Sequence, residues 1–350
     1  MKIAILTNFS HPSICGVWMR AKQEAELLSK EHEVTVFSSN WIKGTVERSQ
    51  PEEVYNKFRI QRFPAIKLGG ESFLYWNFKK GILKFEPEVI IAHSYRQLHT
   101  TKALKIAKKL KCKVFLVTHA PFVEGDITRT FLAKLAVKFY DGFIGPRTIN
   151  KFDKIIAITH WEYADLLKIG TEKVRIFYIP NGISSEFFNQ KKTKEEEKIL
   201  FLGRIAPIKD IETLIKAFSI LKDKEIILEL VGPAEDEYLR SLQNLIEEKK
   251  LYNIVIFTGI VNDIKEKIKK IDSAKIFVLP SIREAMPQSL IEAMAREKIV
   301  ISSNNRGSSD IIGDGKNGYL FSVGDYEDLA KKIEIGLNGN KNIKKNARKT

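Results

Sequence analysis

The chain has 350 residues, 44% of them hydrophobic, and a formal net charge of +15. That length leaves room for two cores, and no window approaches the roughly 18 uninterrupted apolar residues of a membrane-crossing helix. Cys15 and Cys112 form no C-x-x-C and are too few for a disulfide framework or a zinc site.

The charge is uneven. Residues 1–180 carry 29 Lys+Arg against 17 Asp+Glu, whereas residues 181–350 carry 29 against 26. The first half therefore favours an anionic partner, and nucleic acid has no aromatic-basic motif to support it. A strand pattern that starts at Lys2 leaves no place for a leader peptide, so a cytoplasmic protein is expected.

Along the chain, short apolar runs rich in β-formers alternate with helical patterns, the signature of a parallel sheet with crossover helices. The first half should hold strands at Lys2 to Thr7, Glu33 to Ser38, Arg59 to Phe63, Val89 to His93, Val114 to Thr118, Ile155 to Thr159 and Val174 to Ile179. Together they make one doubly wound domain. Gly16 follows the first strand and opens onto a predicted helix from Trp18 to Lys30, with Ala21, Ala25 and Leu28 inward. A glycine there lets the backbone come close to a phosphate or a sugar, although a plain loop glycine reads the same way. Phe73, Tyr75, Trp76 and Phe78 suit either an acceptor groove or a core.

His119 stands at the end of a strand, in Thr118-His119-Ala120-Pro121-Phe122, where open α/β sheets bind their ligands. A lone histidine is also a common structural residue. From Asp126 to Gly145, Phe131, Leu132, Leu135, Ala136 and Phe139 alternate with Arg129, Lys134 and Lys138. A domain helix packed on the sheet is the first expectation, and a basic amphipathic helix at a membrane is the second. Ile179-Pro180-Asn181-Gly182 and the polar run from Asn189 to Glu197 mark a linker, which divides the chain into 1–180 and 181–350.

The second half repeats the pattern, with strands at Lys198 to Leu202, Ile226 to Val231, Ile254 to Thr258, Ile276 to Leu279, Ile299 to Ser302 and Gly318 to Phe321. Two clusters stand out. Ser281 to Arg296 reads SIREAMPQSLIEAMAR, with Glu284 and Glu292 separated by seven residues. Pro287 suits the first helical position, which puts Glu284 in the loop before the first turn and Glu292 a little over one turn inside. The backbone N–H groups around Ala285, Met286 and Gln288 then face an anion between two carboxylates. A ligand with a central phosphate and hydroxyls at both ends, such as a nucleotide sugar, fits that arrangement. The second cluster is Gly203-Arg204, followed by Lys209. Taken singly, the glutamates fit a solvated helix face and the cations fit a surface pair.

With Gly203, Arg204, Lys209, Glu284, Pro287, Ser289 and Glu292 in this order and at these separations, nearly the whole chain resembles the group 1 (family four) retaining glycosyltransferases of the GT-B fold. The resemblance implies two Rossmann-like doubly wound domains facing across a cleft, 1–180 binding the acceptor and 181–350 the donor. It implies transfer of a sugar from a nucleotide diphosphate sugar to the hydroxyl of a sugar, lipid-linked or other acceptor, without metal or other cofactor. The acceptor proton would leave on the same face as the departing phosphate.

The catalytic set it implies is His119, Glu284, Arg204 and Lys209. Arg204 and Lys209 would offset charge on the leaving diphosphate, Glu284 would hold the donor sugar and Glu292 the ribose. Gly16, Ile260, Ala285, Met286 and Leu290 would complete the donor site. The basic first half would touch the inner face of the cell membrane or a phosphate-bearing acceptor.

The chain departs from the family pattern at Cys15, where a first loop glycine is usual, at Ala285, where glycine follows the first glutamate, at Val231-Gly232-Pro233 and at Asp310. Relatives continue past the position of Thr350 with a helix that crosses back onto the first domain, so truncation there is expected. An epimerase or sugar-phosphate synthase on the same fold, and a non-catalytic nucleotide-sugar binder, are the alternatives. A dinucleotide dehydrogenase is disfavoured because no G-x-G-x-x-G follows the first strand.

Overall fold

A computed structural model describes residues 1–69, 73–122, 131–189, 191, 193–221 and 225–350. The chain divides into two compact units, with the boundary between Gly182 and Ile183. The expected positions Asp126 and Arg129 lie outside the described residues.

The first unit contains, in chain order, β1 (Lys2–Leu6), β2 (Glu33–Ser39), β3 (Glu52–Tyr55), β4 (Phe58–Phe63), β5 (Ala65–Gly69), β6 (Phe73–Trp76), β7 (Val89–His93), β8 (Lys113–Val117), β9 (Lys154–Ala157) and β10 (Ile176–Tyr178). Eight of these form one sheet in the order β10-β9-β8-β7-β1-β2-β4-β3, parallel except for β3. β1 is covered on both faces, and Ile3, Ala4, Ile5 and Leu6 are all buried. This is why it reads as an unbroken apolar run rather than an alternating one.

The second unit contains β11 (Lys198–Leu202), β12 (Ile227–Val231), β13 (Val255–Gly259), β14 (Ile276–Leu279), β15 (Ile299–Ser303) and β16 (Tyr319–Phe321). They form a parallel sheet in the order β13-β12-β11-β14-β15-β16. The strand order reverses beside β1 and β7 in the first unit and beside β11 and β14 in the second. Open α/β sheets bind ligands outside the carboxyl ends at such points.

Four local features differ from the sequence expectation. β3 and the β5–β6 hairpin were not expected. On β6 the side chains alternate, so Leu74 and Trp76 are buried whereas Phe73 and Tyr75 are exposed, and Phe78 joins the core beyond the strand. The segment after 130 is a helix, Phe131–Phe139, then a π-helical turn, Tyr140–Ile144, then a short helix, Gly145–Ile149. Among its described side chains the apolar ones are not packed away on the sheet: Leu135, Phe139 and Phe143 are each more than half exposed. The polar run before β11 is anchored within the second unit, since Glu195 accepts from Lys298 Nζ and Lys344 Nζ, both at 2.9 Å, and Glu196 N donates to Ser273 O. Positions 190 and 192 of that run lie outside the described residues.

Candidate functional site

In the second unit the two sequence clusters meet at the carboxyl ends of β11 and β14. After β11 the chain passes Gly203-Arg204 and makes a short 3-10 turn, Pro207–Lys209, before the helix Ile211–Ser219, whose Ile211, Leu214, Ile215 and Phe218 are buried. After β14 the loop runs from Pro280 to Pro287. The two loops share a backbone hydrogen bond, Ile282 N to Ile208 O at 3.0 Å. Across it Lys209 Nζ forms an ion pair with Glu284 Oε1, the side chains being 20% and 12% exposed. Residues 75 positions apart thus converge on one small volume.

Pro287 is the residue just before the helix, with ψ 101°, and the helix proper is Gln288–Ala295. The expectation of Pro287 inside the first turn is therefore corrected by one residue: that position needs a helical ψ, and the extended value keeps Pro287 outside. Glu292 still lies a little over one turn in, and it is 7% exposed. Burial pushes its carboxyl above the ordinary range, and the ammonium of Lys267, 2.5 Å from Oε2, pulls the other way. Lys267 sits on the helix Ile264–Ser273, which follows the loop carrying Ile260.

Arg204 reaches outward to Glu235, Nη1 to Oε1 at 2.8 Å, with both side chains substantially exposed. Ile260 is 52% exposed, and Ala285 and Met286 are half-buried beside Glu284. Leu290 is a correction. It is fully buried in the second unit's core, because its place on the helix points it at the sheet, so its side chain cannot line a ligand site.

What holds the acidic loop in place was not expected from the sequence. Asn305 Nδ2 donates to Ser281 O at 3.0 Å, and Ser303 Oγ donates to the same carbonyl. Asn305 Oδ1 accepts from the N–H groups of Gly307 and Ser308. A Cβ on Gly307 would lie 2.5 Å from Glu284 O and 2.6 Å from Ala285 O, so the loop rests directly on a residue that has no side chain. Gly232 has φ +142°, and a Cβ there would lie 1.9 Å from Gly203 O. Both approaches fix backbone at the site.

In the first unit His119 follows β8 with φ +59°, and Ala120 has φ +50°. Two consecutive left-handed residues other than glycine cost on the order of 1–2 kcal/mol each. The carboxylate of Glu162, itself 0% exposed, clamps them. Its Oε1 accepts from Ala120 N at 2.8 Å and from Thr118 Oγ1, and its Oε2 accepts from Ile158 N at 2.8 Å and Thr159 N at 3.1 Å. Burial leaves this carboxyl above its ordinary pKa despite those donors.

His119 Nε2 lies 2.9 Å from His93 Nδ1. His93, the last residue of β7, is fully buried, and its Nε2 lies 3.1 Å from Glu24 Oε2. Glu24 is held in turn by Arg20 Nε at 2.5 Å. Burial above all keeps His119 well below 6.5, with His93 and Arg20 acting in the same sense and Glu24 in the opposite one. Gly16 is the first residue of the helix Gly16–Leu28, and a Cβ on it would meet nothing within 4 Å. Sequence reasoning missed Glu24, His93, Glu162 and Lys267. Each is an ordinary residue on its own helix or strand, and only the fold gives it a partner.

Known families and proteins match this chain from end to end. A family model described as Glycosyl transferases group 1 matches residues 183–350, and one described as Glycosyltransferase Family 4 matches residues 14–187. EpsD of Bacillus subtilis, a candidate glycosyltransferase, is 37% identical over 281 residues, covering 75% of this chain and 70% of EpsD. An alpha-1,4-N-acetyl-D-galactosaminyltransferase of Campylobacter jejuni, whose name gives a PP-undecaprenol-linked acceptor, is 26% identical over 333 residues, covering 90% of this chain and 83% of that enzyme. The crystal structure of Anabaena HepE in complex with UDP and glucose matches with a TM-score of 0.74 at 18% identity, over 100% of this chain and 94% of HepE.

Proposed function

Since the chain belongs to the group 1 glycosyltransferases and has their GT-B fold, we propose for this enzyme a retaining transfer in which Arg204, Lys209, Glu284, Glu292 and His119 carry the roles given above. It uses a nucleotide sugar as donor and a hydroxyl as acceptor. The observation that carries the assignment of roles is the meeting of Lys209 with Glu284, in the loop that leads into the helix bearing the buried Glu292. Two carboxylates, each with an ammonium against it, Lys209 on Glu284 and Lys267 on Glu292, then accompany the helix Gln288–Ala295, whose dipole at its start favours a diphosphate. Lys209 and Arg204 offset charge on the leaving diphosphate, a transition-state effect that works without a metal. The carboxylate of Glu284 accepts from the hydroxyls of the sugar, and Glu292 does the same for the ribose. The UDP bound to HepE favours a uridine donor, and the name of the Campylobacter enzyme favours a lipid-linked acceptor.

A lipid-linked acceptor calls for contact with a membrane at the inner face of the cell. Exposed Leu135, Phe139, Phe143 and Ile144 alternate with exposed Lys134, Lys138 and Arg147, a composition suited to an anionic bilayer interface. Sedimentation with vesicles rich in anionic lipid tests this, with binding to neutral vesicles alone as the contrary result. For the reaction, titration with UDP-, GDP- and ADP-sugars in the absence of metal should single out one donor, with binding lost in Lys209→Ala. NMR of the product then reads the anomeric configuration. An inverted anomer overturns retention, and binding undiminished in Lys209→Ala overturns the role of that lysine.

A further inference from the structure

The chain of side chains behind His119 constrains where its proton sits. Four groups from three elements line up: Arg20 and Glu24 on the helix Gly16–Leu28, His93 at the end of β7, and His119 after β8. Glu24 is an acceptor in this chain. Burial alone would raise its carboxyl, but His93 and Arg20 outweigh burial and hold it at about 2. Glu24 Oε2 lies 3.1 Å from His93 Nε2, close but short of a straight hydrogen bond. A bare lone pair on that nitrogen would face a carboxylate oxygen at the same distance and be repelled, so His93 Nε2 carries a proton.

The remaining protons follow in order. An imidazole that carries its one proton on Nε2 has a bare Nδ1, so His93 Nδ1 is the acceptor. His119 Nε2, 2.9 Å away, must then be the donor. A neutral imidazole has one N–H, so His119 Nδ1 is left with a lone pair. His99, buried on the helix Leu98–Leu110, holds the His93 backbone: its Nε2 lies 2.8 Å from His93 O, and burial lowers its pKa to about 4.

We propose that Glu24 and His93 are positioning residues for His119, fixing the Nε2–H tautomer so that His119 Nδ1 presents an acceptor to a hydroxyl of the bound sugar. The role of that acceptor in turnover rests on the glycosyltransferase reading. The tautomer does not, since it follows from the first unit alone. A histidine that must accept from a hydroxyl gains from having its proton assigned before the ligand arrives, just as outer hydrogen-bond partners orient the histidines of metal sites.

The test is long-range ¹H–¹⁵N NMR of the imidazole nitrogens in the full chain labelled with ¹⁵N-histidine, at about pH 8, where ordinary imidazoles are neutral. The chain has six histidines, and the His119 signals are assigned by their loss in His119→Gln. In the wild type, His119 should be protonated at Nε2 and bare at Nδ1. Glu24→Gln replaces an obligate acceptor with a side chain that can donate, so His93 and His119 should both reverse, leaving the His119 proton on Nδ1. Glu24→Asp should retain the wild-type pattern. Under saturating donor, Glu24→Gln should lower kcat by about 10- to 100-fold with the donor KM little changed, and Glu24→Asp should recover part of the loss.

A wild-type His119 protonated on Nδ1 overturns the inference without any variant. So does a His119 tautomer that stays the same in a folded Glu24→Gln. An inactive wild type with the expected tautomer would overturn the functional reading and leave this inference standing.

Discussion

Replacing either member of the Lys209–Glu284 pair should destabilise the second unit, and replacing both should cost clearly less than the sum. The two side chains are 20% and 12% exposed, and the loops that carry them are joined through Ile282 N and Ile208 O. At an effective dielectric of about 20, opposite charges about 4 Å apart attract by roughly 4 kcal/mol, and desolvation of both ends offsets much of that. A net coupling on the order of 1–3 kcal/mol remains. Lys209→Met and Glu284→Gln should each lower the melting temperature of this unit by several degrees, at about 2–4 °C per kcal/mol for a domain of its size. Denaturant melts of the two single variants and the double variant give the coupling, and calorimetry on the same proteins gives donor affinity. Stability should be partly restored in the double variant, whereas donor binding should not be. Additive stabilities, within about 0.5 kcal/mol, would show the pair to be a solvated contact and remove the argument that the two motifs form one site.

Acid stability should depend on Glu24. A carboxyl held at about 2 in the folded chain against 4.5 contributes about 3 kcal/mol above pH 4.5 and loses it as the pH falls towards 2. Glu162 and Glu292, both raised, act in the opposite sense, so their contribution falls as the pH rises above 4.5. Urea melts of wild type and Glu24→Gln should differ by a constant amount above about pH 5 and converge towards about pH 2; a gap that persists at the acid end refutes this. Gly307→Ala puts a Cβ 2.5 Å from Glu284 O, and this overpacking should cost about 1–3 kcal/mol. Donor affinity should fall by about tenfold or more as the loop shifts, with calorimetry as the check and unchanged affinity as the contrary result. Turnover should be unchanged by a chelator, because Arg204 and Lys209 supply the positive charge; activity lost with chelator and restored by magnesium or manganese would overturn the metal-free reading.

Elements with two covered faces were the easiest to read from the sequence. β7, β11 and β14 lie where their apolar runs place them, because burial on both faces leaves no room for a polar interruption. β3, with Glu52-Glu53 and an exposed Val54, sits at the sheet edge, where that demand disappears and the sequence loses its contrast. The hairpin β5–β6 was hidden for a related reason: only Leu74 and Trp76 on β6 face the core, so four residues give too short an alternation to stand out. The exposed stripe of Leu135, Phe139 and Phe143 has the opposite problem. Its period is helical, but period alone says nothing about what covers it.

The same division runs through the site. Glu284 and Glu292 could be paired from sequence because one loop and one helix fix their separation, and Lys209 could be paired with its own strand end for the same reason. The partners that set their behaviour are brought in by the topology. Lys267 reaches Glu292 from the helix after β13, and Asn305 and Gly307 seat the acidic loop from the end of β15. Glu24 reaches His119 only through His93, across β1 and β7, which are adjacent in the sheet and far apart in the chain. Substitutions outside the recognisable motifs should therefore damage the site as severely as those within them wherever they fall at Glu24, His93, Glu162 or Gly307. These are positions where a buried charge, a proton or a missing Cβ leaves no room for a compromise.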